Sequence, residues 1–210
     1  MFVKRLVLLF VMTLSIATCT QKTRTKTIGI IVLNDFEDEN IEYIIDNIQS
    51  YYKCKCIVLN KIQLPENCIT TIKTKRYRAD SIIRYLAIIK PDSVDYILGL
   101  TNQNISHTKR EANGKIKYPE SYFCDISIFG LGFCPGKSCV VSSFNFKNAN
   151  KELIKSRLQK ITIHELGHNF GLPHCKNKEC VMQDAAETLK ILDETKIELC
   201  KKCIAKIKLN

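Results

Sequence analysis

The sequence predicts an α/β sandwich in which a mostly parallel, twisted sheet carries helices on its faces. In the first hundred residues, short runs rich in β-branched residues alternate with amphipathic segments in the order β-α-β-α-β. Two further strand-like runs and one long helical segment follow. Such alternation favours parallel strands joined by helical crossovers. A chain of 210 residues, 45% hydrophobic and 25% charged, is long enough to form one well-packed domain.

The first half of the chain contains three predicted strands and two predicted helices. The strands span residues 27–33, 54–59 and 94–100. The first is apolar throughout, which predicts a central strand covered on both faces. Isoleucines three and four residues apart predict an amphipathic helix over residues 35–52. A second helix is predicted over residues 79–89. It is expected to end there because Pro91 disfavours helix in the residue before it.

The second half contains two more predicted strands and the longest helix. The strands span residues 123–129 and 139–144 and are separated by a turn region rich in glycine and proline. Asn150 can cap a helix over residues 151–170, and Gly171 can end it in the left-handed conformation. This long helix contains the residues with the clearest chemical signal.

The N-terminus has the features of an export signal. Lys4 and Arg5 precede an apolar run of about twelve residues, which is too short for a membrane-spanning helix of about 20. The sequence Ile16-Ala-Thr-Cys19 is similar to the cleavage box of bacterial lipoproteins, in which the cysteine becomes the lipidated first residue.

We therefore expect a signal peptide of the lipoprotein type, a short tether and one domain. These parts span residues 1–18, 19–26 and 27–210, and the domain divides into an N-terminal part, 27–171, and a C-terminal part, 172–210. Lipidation at Cys19 predicts an exported, membrane-anchored lipoprotein on the periplasmic or cell-surface side. Simple secretion is the alternative.

The histidines are the most informative feature of the composition. Only four occur, and three lie in the segment His164-Glu-Leu-Gly-His168-Asn-Phe-Gly171-Leu-Pro-His174. Residues four apart on a helix share a face, so His164 and His168 can both direct a ring nitrogen to one zinc ion. A sharp turn at Gly171 lets His174 return as the third ligand. Three protein ligands leave the fourth position open, as in catalytic zinc sites.

Glu165 and Met182 complete the predicted catalytic site. Glu165 adjoins the first ligand but points away from it, so its carboxylate can reach a water held by the zinc and act as general base. Met182 is the only methionine beyond the signal peptide and follows His174 by eight residues. Its thioether can pack beneath the histidines in a Met-turn. An ordinary core methionine is the alternative.

Four of the eleven cysteines form two spaced pairs near the C-terminus. Four residues separate Cys175 from Cys180, and two separate Cys200 from Cys203. Such pairs are typical of a structural zinc held by four thiolates. Two disulfides are the alternative for an exported protein, and a thiol redox motif at Cys200 and Cys203 is a third interpretation. We expect two zinc ions per chain, one catalytic and one structural.

Residues 164–203 resemble the archaemetzincins, zinc metalloproteases of the metzincin clan. The family motif HExxHxxGxxHC-x4-C-x-M-x17-C-x-x-C is matched at every position. Residues 95–101 (DYILGLT), 128–132 (IFGLG) and 139–142 (CVVS) also resemble family segments. The resemblance therefore covers most of the chain from residue 27 onward.

The resemblance implies a metzincin-like fold and a zinc-dependent metallopeptidase. In such an enzyme a zinc-bound water attacks the peptide carbonyl with the help of Glu165, and a second zinc binds the C-terminal cysteines. In the family-like sheet, the strand over residues 123–129 is the expected edge that pairs with an extended peptide. Some archaemetzincins act as aminopeptidases. An exported, zinc-stabilised peptide-binding module with little or no peptidase activity is the alternative.

The partners follow from the same features. The net charge is +11, but the lysines are spread along the chain without a basic block interleaved with aromatic residues. The charge therefore does not indicate a nucleic-acid partner. We expect a peptide or protein substrate, membrane contact only through the N-terminal anchor, and a monomer.

Overall fold

The structure, a computed structural model, describes residues 24–184 and 188–209. The predicted signal peptide over residues 1–18, the lipidation site Cys19 and the first part of the tether lie outside the described residues. The first strand begins at Thr27. Across the two described stretches, no helix combines the length and apolar character needed to cross a bilayer.

The described residues form strands and helices in the following order. The strands are β1 Thr27–Val32, β2 Lys55–Val58, β3 Ile69–Thr70, β4 Arg76–Arg78, β5 Tyr96–Thr101, β6 Ile105–His107, β7 Ile126–Ile128, β8 Gly130–Gly132 and β9 Ser138–Ser142. The α-helices are α1 Asp38–Tyr52, α2 Ala79–Ile89, α3 Glu120–Phe123, α4 Lys151–Asn169, α5 Leu189–Glu194 and α6 Lys201–Leu209. Short 3-10 turns span Glu66–Cys68 and Phe144–Phe146.

A five-stranded sheet in the order β2-β1-β5-β9-β8 forms the centre of the fold. The first four strands are parallel, and β8 pairs with β9 in the antiparallel direction. The interior position predicted for β1 is confirmed, because it lies between β2 and β5. The predicted α/β sandwich with a mostly parallel sheet and a long helix is therefore confirmed.

Helices cover both faces of this sheet. Successive side chains of β1 point to opposite faces, so Ile28 and Ile30 are buried with α1 and α4, whereas Ile31 is buried with α2. A Cβ on Gly99 would lie 2.6 Å from the Leu33 side chain and 2.9 Å from that of Leu86. The glycine in β5 therefore lets α2 pack directly on the sheet.

The long helix begins as predicted and ends at Asn169, one residue before the predicted end. The side chain of Asn150 accepts a hydrogen bond of 2.9 Å from the Leu153 amide, which satisfies one of the free donors of the first turn. The last helical residue is Asn169, and Gly171 has a φ of 87°. Only glycine adopts this conformation without strain, so the chain turns sharply after the helix.

The predicted strand over residues 123–129 is wrong as a single element. Residues 120–123 are helical, and β7 belongs to a second sheet of order β3-β4-β6-β7 that the sequence analysis missed. The edge strand on the α4 side is instead β8, although its two glycines predict a turn. Other predicted boundaries shift by one to three residues; α1, for example, begins at Asp38 rather than residue 35.

Candidate active site

The three histidines of the motif converge at the C-terminal end of α4. Their ring centroids are 4.6 Å apart for His164 and His168, 5.3 Å for His164 and His174, and 4.9 Å for His168 and His174. One ring nitrogen of each lies within 4.8 Å of those of the other two. The helix places the first two rings, and the turn at Gly171 returns the third.

Backbone carbonyls orient the two helical histidines. His164 Nδ1 lies 2.7 Å from the Val181 carbonyl oxygen, and His168 Nδ1 lies 2.7 Å from that of Leu172. A carbonyl can only accept, so Nδ1 carries the proton in both rings and Nε2 keeps a free lone pair. Second partners of this kind are typical of histidines that bind metals.

Burial keeps these two rings neutral. Desolvation lowers the pKa of His164 to about 3 and that of His168 to about 4, and the charges of neighbouring histidines add to the effect. Neutral imidazole is the form that binds a metal. His174 is different, since 47% of its side chain is exposed and its Nδ1 lies 3.9 Å from the Asp184 carboxylate. The site is therefore open to solvent on the side of the third histidine.

Glu165 is buried against strand β8, with 3% of its surface exposed. Burial raises the pKa of its carboxyl to about 8, while a hydrogen bond from the Gly132 amide opposes that rise. A cation beside it would favour the ionised form and bring the pKa down again. The carboxyl group is thus able to hold or release a proton near neutral pH.

The two glycines of β8 explain how the strand approaches the helix so closely. A Cβ on Gly130 would lie 2.8 Å from Cγ and 2.9 Å from Oε1 of Glu165. A Cβ on Gly132 would lie 2.7 Å from the Glu165 carbonyl oxygen. Sequence reasoning missed this contact. The available signal was the Gly-x-Gly pair directly after an apolar run, which marks close backbone approach as well as a turn.

Asn169 ties the end of α4 to the hairpin formed by β8 and β9. Its side-chain amide donates to the Phe133 carbonyl at 3.0 Å and to the Ser138 carbonyl at 2.9 Å. The hairpin that carries Gly132 is therefore held on the helix that carries Glu165. Nothing in the sequence pattern indicated this role for Asn169.

Met182 lies under the histidine helix and is fully buried. Its sulfur would be 2.4 Å from a Cβ added to Gly167, the glycine between the two helical histidines. The Tyr52 hydroxyl would lie 3.3 Å from the same Cβ and donates to the Ile163 carbonyl at 2.7 Å. Gly167 is thus the residue that allows the thioether to contact the helix.

Replacing Gly167 with alanine is expected to lower the free energy of unfolding by about 1–3 kcal/mol, because the added methyl group overpacks the contact with Met182. Helix propensity alone would give the opposite sign, since alanine stabilises a helix by about 1 kcal/mol relative to glycine. Urea unfolding of the metal-loaded chain measures the difference. Ser156→Ala in the same helix is the control, and a Gly167→Ala variant more stable than wild type would contradict the contact.

The four C-terminal cysteines also converge. The Sγ atoms of Cys175 and Cys200 are 3.7 Å apart, those of Cys180 and Cys203 are 3.8 Å apart, and all four lie within 4.8 Å of one another. A disulfide requires about 2.05 Å, so these are not disulfides. Four sulfurs at about 2.3 Å from one tetrahedral zinc would be about 3.8 Å apart.

Backbone amides donate to sulfur atoms of this cluster and oppose the burial that raises the pKa of the Cys180 thiol. The Cys200 amide donates to Cys180 Sγ at 3.3 Å. The Cys203 amide likewise lowers the pKa of the Cys200 thiol to about 7. The remaining cysteines of the described residues, at 54, 56, 68, 124, 134 and 139, are free thiols. The cluster is therefore a candidate metal site made of sulfur alone.

The chain is similar to known proteins over most of its length. The profile of Peptidase family M54 matches residues 26–209. The archaemetzincin of Methanopyrus kandleri is 30% identical over 143 residues, which cover 68% of this chain and 71% of that protein. The archaemetzincin of Archaeoglobus fulgidus is 26% identical over 168 residues, which cover 80% of this chain and 91% of that protein.

Two solved structures share the fold. The crystal structure of the M. kandleri archaemetzincin has a TM-score of 0.71 at 24% identity and covers 90% of this chain and 97% of its own. That of the A. fulgidus archaemetzincin complexed with malonate has a TM-score of 0.67 at 23% identity and covers 86% and 99%. The profile match and the M. kandleri relative together show that this chain belongs to peptidase family M54, the archaemetzincins, and is a zinc metallopeptidase.

Proposed function

We propose that this chain hydrolyses peptide bonds at a zinc held by His164, His168 and His174, with Glu165 as the general base. One observation carries the proposal. The three imidazoles meet at the end of α4, and Glu165, which follows His164 in that helix, is buried against β8, an edge strand of the sheet.

The residues present fit a catalytic zinc. Zinc is commonly bound by imidazole nitrogen, and three histidines leave one coordination position for water or substrate. His164 and His168 direct a free Nε2 into the site because Nδ1 of each faces a carbonyl oxygen. His174 reaches it from the turn after the helix.

When bound, zinc supplies a Lewis acid that polarises the substrate carbonyl and acidifies water. Glu165 takes the proton of the attacking water and then delivers it to the leaving amine. The Gly132 amide holds the carboxylate in place, and Asn169 holds the hairpin that carries this amide. β8 is an edge strand, so the backbone groups on its outer side that do not bind Glu165 can pair with an extended peptide, which favours broad side-chain tolerance.

We further propose that Cys175, Cys180, Cys200 and Cys203 bind a second, structural zinc. Hydrogen bonds link this cluster to the catalytic site. The Cys175 amide donates to the Met182 carbonyl at 2.7 Å, and the Val181 amide donates to the Glu198 carbonyl at 2.9 Å. The Val181 carbonyl in turn accepts from His164. A metal on the cysteines would therefore fix the Met-turn under the catalytic histidines.

The location of the protein follows from the N-terminal sequence rather than from the site. We propose that residues 1–18 direct export and that Cys19 carries a lipid, so that the peptidase domain acts on the periplasmic or cell-surface side. The features that support this are the basic start, the short apolar run and the cysteine at its end.

Metal analysis together with a peptidase assay tests the proposed function. We expect elemental analysis of the purified chain to give two zinc ions per molecule. Because His174 is exposed, a chelator should first remove the histidine-bound ion and abolish hydrolysis of a mixed peptide library, and added zinc should restore it. Hydrolysis that continues without metal would rule out the mechanism, and one zinc per chain would rule out the second site.

A further inference from the structure

A cavity of 580 Å³ adjoins the third histidine of the site. His174 and Cys175 line one side of it, and the first turns of α6 line the other. Its wall is strongly basic, because it includes the four lysines Lys176, Lys201, Lys202 and Lys206. All four are exposed. The cavity therefore opens to solvent next to the open side of the histidine cluster.

No aspartate or glutamate of residues 24–184 and 188–209 lines this cavity. In the same ranges none of the four lysines has a carboxylate within 4.0 Å. Lys196, in the same C-terminal part, differs in that it pairs with Glu179 at 2.8 Å. Asp184 faces Nδ1 of His174 at 3.9 Å but is not part of the cavity wall.

The cysteine cluster does not account for all of this positive charge. Four thiolates around one zinc carry a net charge of about −2, so four lysines leave an excess of about +2. A zinc on neutral histidines adds further positive charge on the same side. An anionic group that enters the cavity would meet cations on the wall while the peptide lies at the histidine cluster.

We propose that this basic cavity is a specificity subsite that favours peptides with acidic groups near the bond to be cleaved. The inference rests on the proposed peptidase function and deepens it. The lysines Lys202 and Lys206 lie four residues apart on α6 and both line the cavity, so they can contact one carboxylate together. The anionic group is either an acidic side chain or the free C-terminal carboxylate of a short peptide.

Binding to the zinc-loaded Glu165→Gln variant tests the subsite without turnover. Three fluorescent peptides of one length are compared by anisotropy: one rich in glutamate, one with glutamine in its place, and the glutamine peptide with an amidated C-terminus. We expect the glutamate peptide to bind about tenfold more tightly than the glutamine peptide in 50 mM salt, and the ratio to fall below about twofold in 1 M salt. A difference between the two glutamine peptides alone would assign the subsite to the C-terminal carboxylate.

Charge-reversed variants test whether Lys202 and Lys206 cause the preference for the glutamate peptide. The double variant K202E/K206E should lose the preference for glutamate, and K202R/K206R should keep it. The control K75E/K115E makes the same change of charge at two exposed lysines that do not line the cavity and should keep it as well. Zinc content and thermal unfolding check each variant. Equal binding of all three peptides, or loss of the preference in the control, would overturn the proposal.

Different results would contradict the acidic subsite and the peptidase function. If wild type hydrolyses all three peptides with equal kcat/KM, the peptidase function stands and the subsite is wrong. If the glutamate peptide binds more tightly but neither is hydrolysed, the cavity binds acidic peptides and the peptidase function is wrong. The binding comparison on wild-type lysines decides the subsite even if a charge-reversed variant does not fold.

Discussion

Replacing Glu165 with glutamine is expected to lower kcat/KM for peptide hydrolysis by about 10²–10⁴-fold while both metals stay bound. Glutamine has the same shape and can still accept the hydrogen bond from the Gly132 amide, so the fold should be retained. What it lacks is the ability to take a proton from water. Turnover of a mixed peptide library, with zinc content measured on the same samples, gives the result.

Glu152→Gln is a matched control for this substitution. Glu152 lies in the first turn of the same helix and is exposed, so the same chemical change there is remote from the histidines. We expect it to leave turnover within about twofold of wild type, as is usual for surface substitutions. If Glu165→Gln also retains more than half of the wild-type rate, Glu165 is not the general base. A wild type without any turnover would instead favour the peptide-binding module.

Replacing Cys180 with serine is expected to remove one zinc per chain and to lower the free energy of unfolding by about 4 kcal/mol or more, which corresponds to a fall in Tm of about 10 °C. The loss should also reduce peptidase activity, although no histidine is changed. Hydrogen bonds connect the cysteine cluster to Met182 and Val181, and the Val181 carbonyl orients His164. Elemental analysis, thermal unfolding and the peptidase assay measure the three effects.

Cys134→Ser provides the comparison for this prediction. Cys134 is an exposed free thiol in the turn between β8 and β9 and does not belong to the cysteine cluster. Its loss should leave the zinc content at two and the Tm nearly unchanged. If Cys180→Ser leaves the zinc content and the Tm unchanged, the four cysteines hold no metal in the purified protein.

Much of the fold could be predicted wherever the signal is local. Helix α2 spans the predicted residues 79–89 and ends just before Lys90-Pro91, as the preference of the residue before proline predicts. Helix α4 begins after Asn150, where a side chain of the right type caps the first turn. These features depend on residues within a few positions of one another, so neighbouring sequence is sufficient to predict them.

The prediction failed where long-range contact decides the conformation. Residues 130–132 have the composition of a turn but form the edge strand β8. They are extended because β9 pairs with them and because α4 lies too close for side chains at Gly130 and Gly132. The second sheet was missed for a similar reason, since its strands have only two or three residues each and are recognised by their pairing.

The chemical groups of the site can be predicted from the amino-acid sequence alone: three histidines, one glutamate and four cysteines at spacings that a helix and two turns can bring together. The protonation and orientation of those groups depend on tertiary contacts. The carbonyls of Val181 and Leu172 select which nitrogen of each helical histidine is free, and strand β8 buries Glu165 and raises its pKa. These effects arise between residues distant in the chain, because desolvation and hydrogen bonding depend on which surfaces meet rather than on which residues are neighbours.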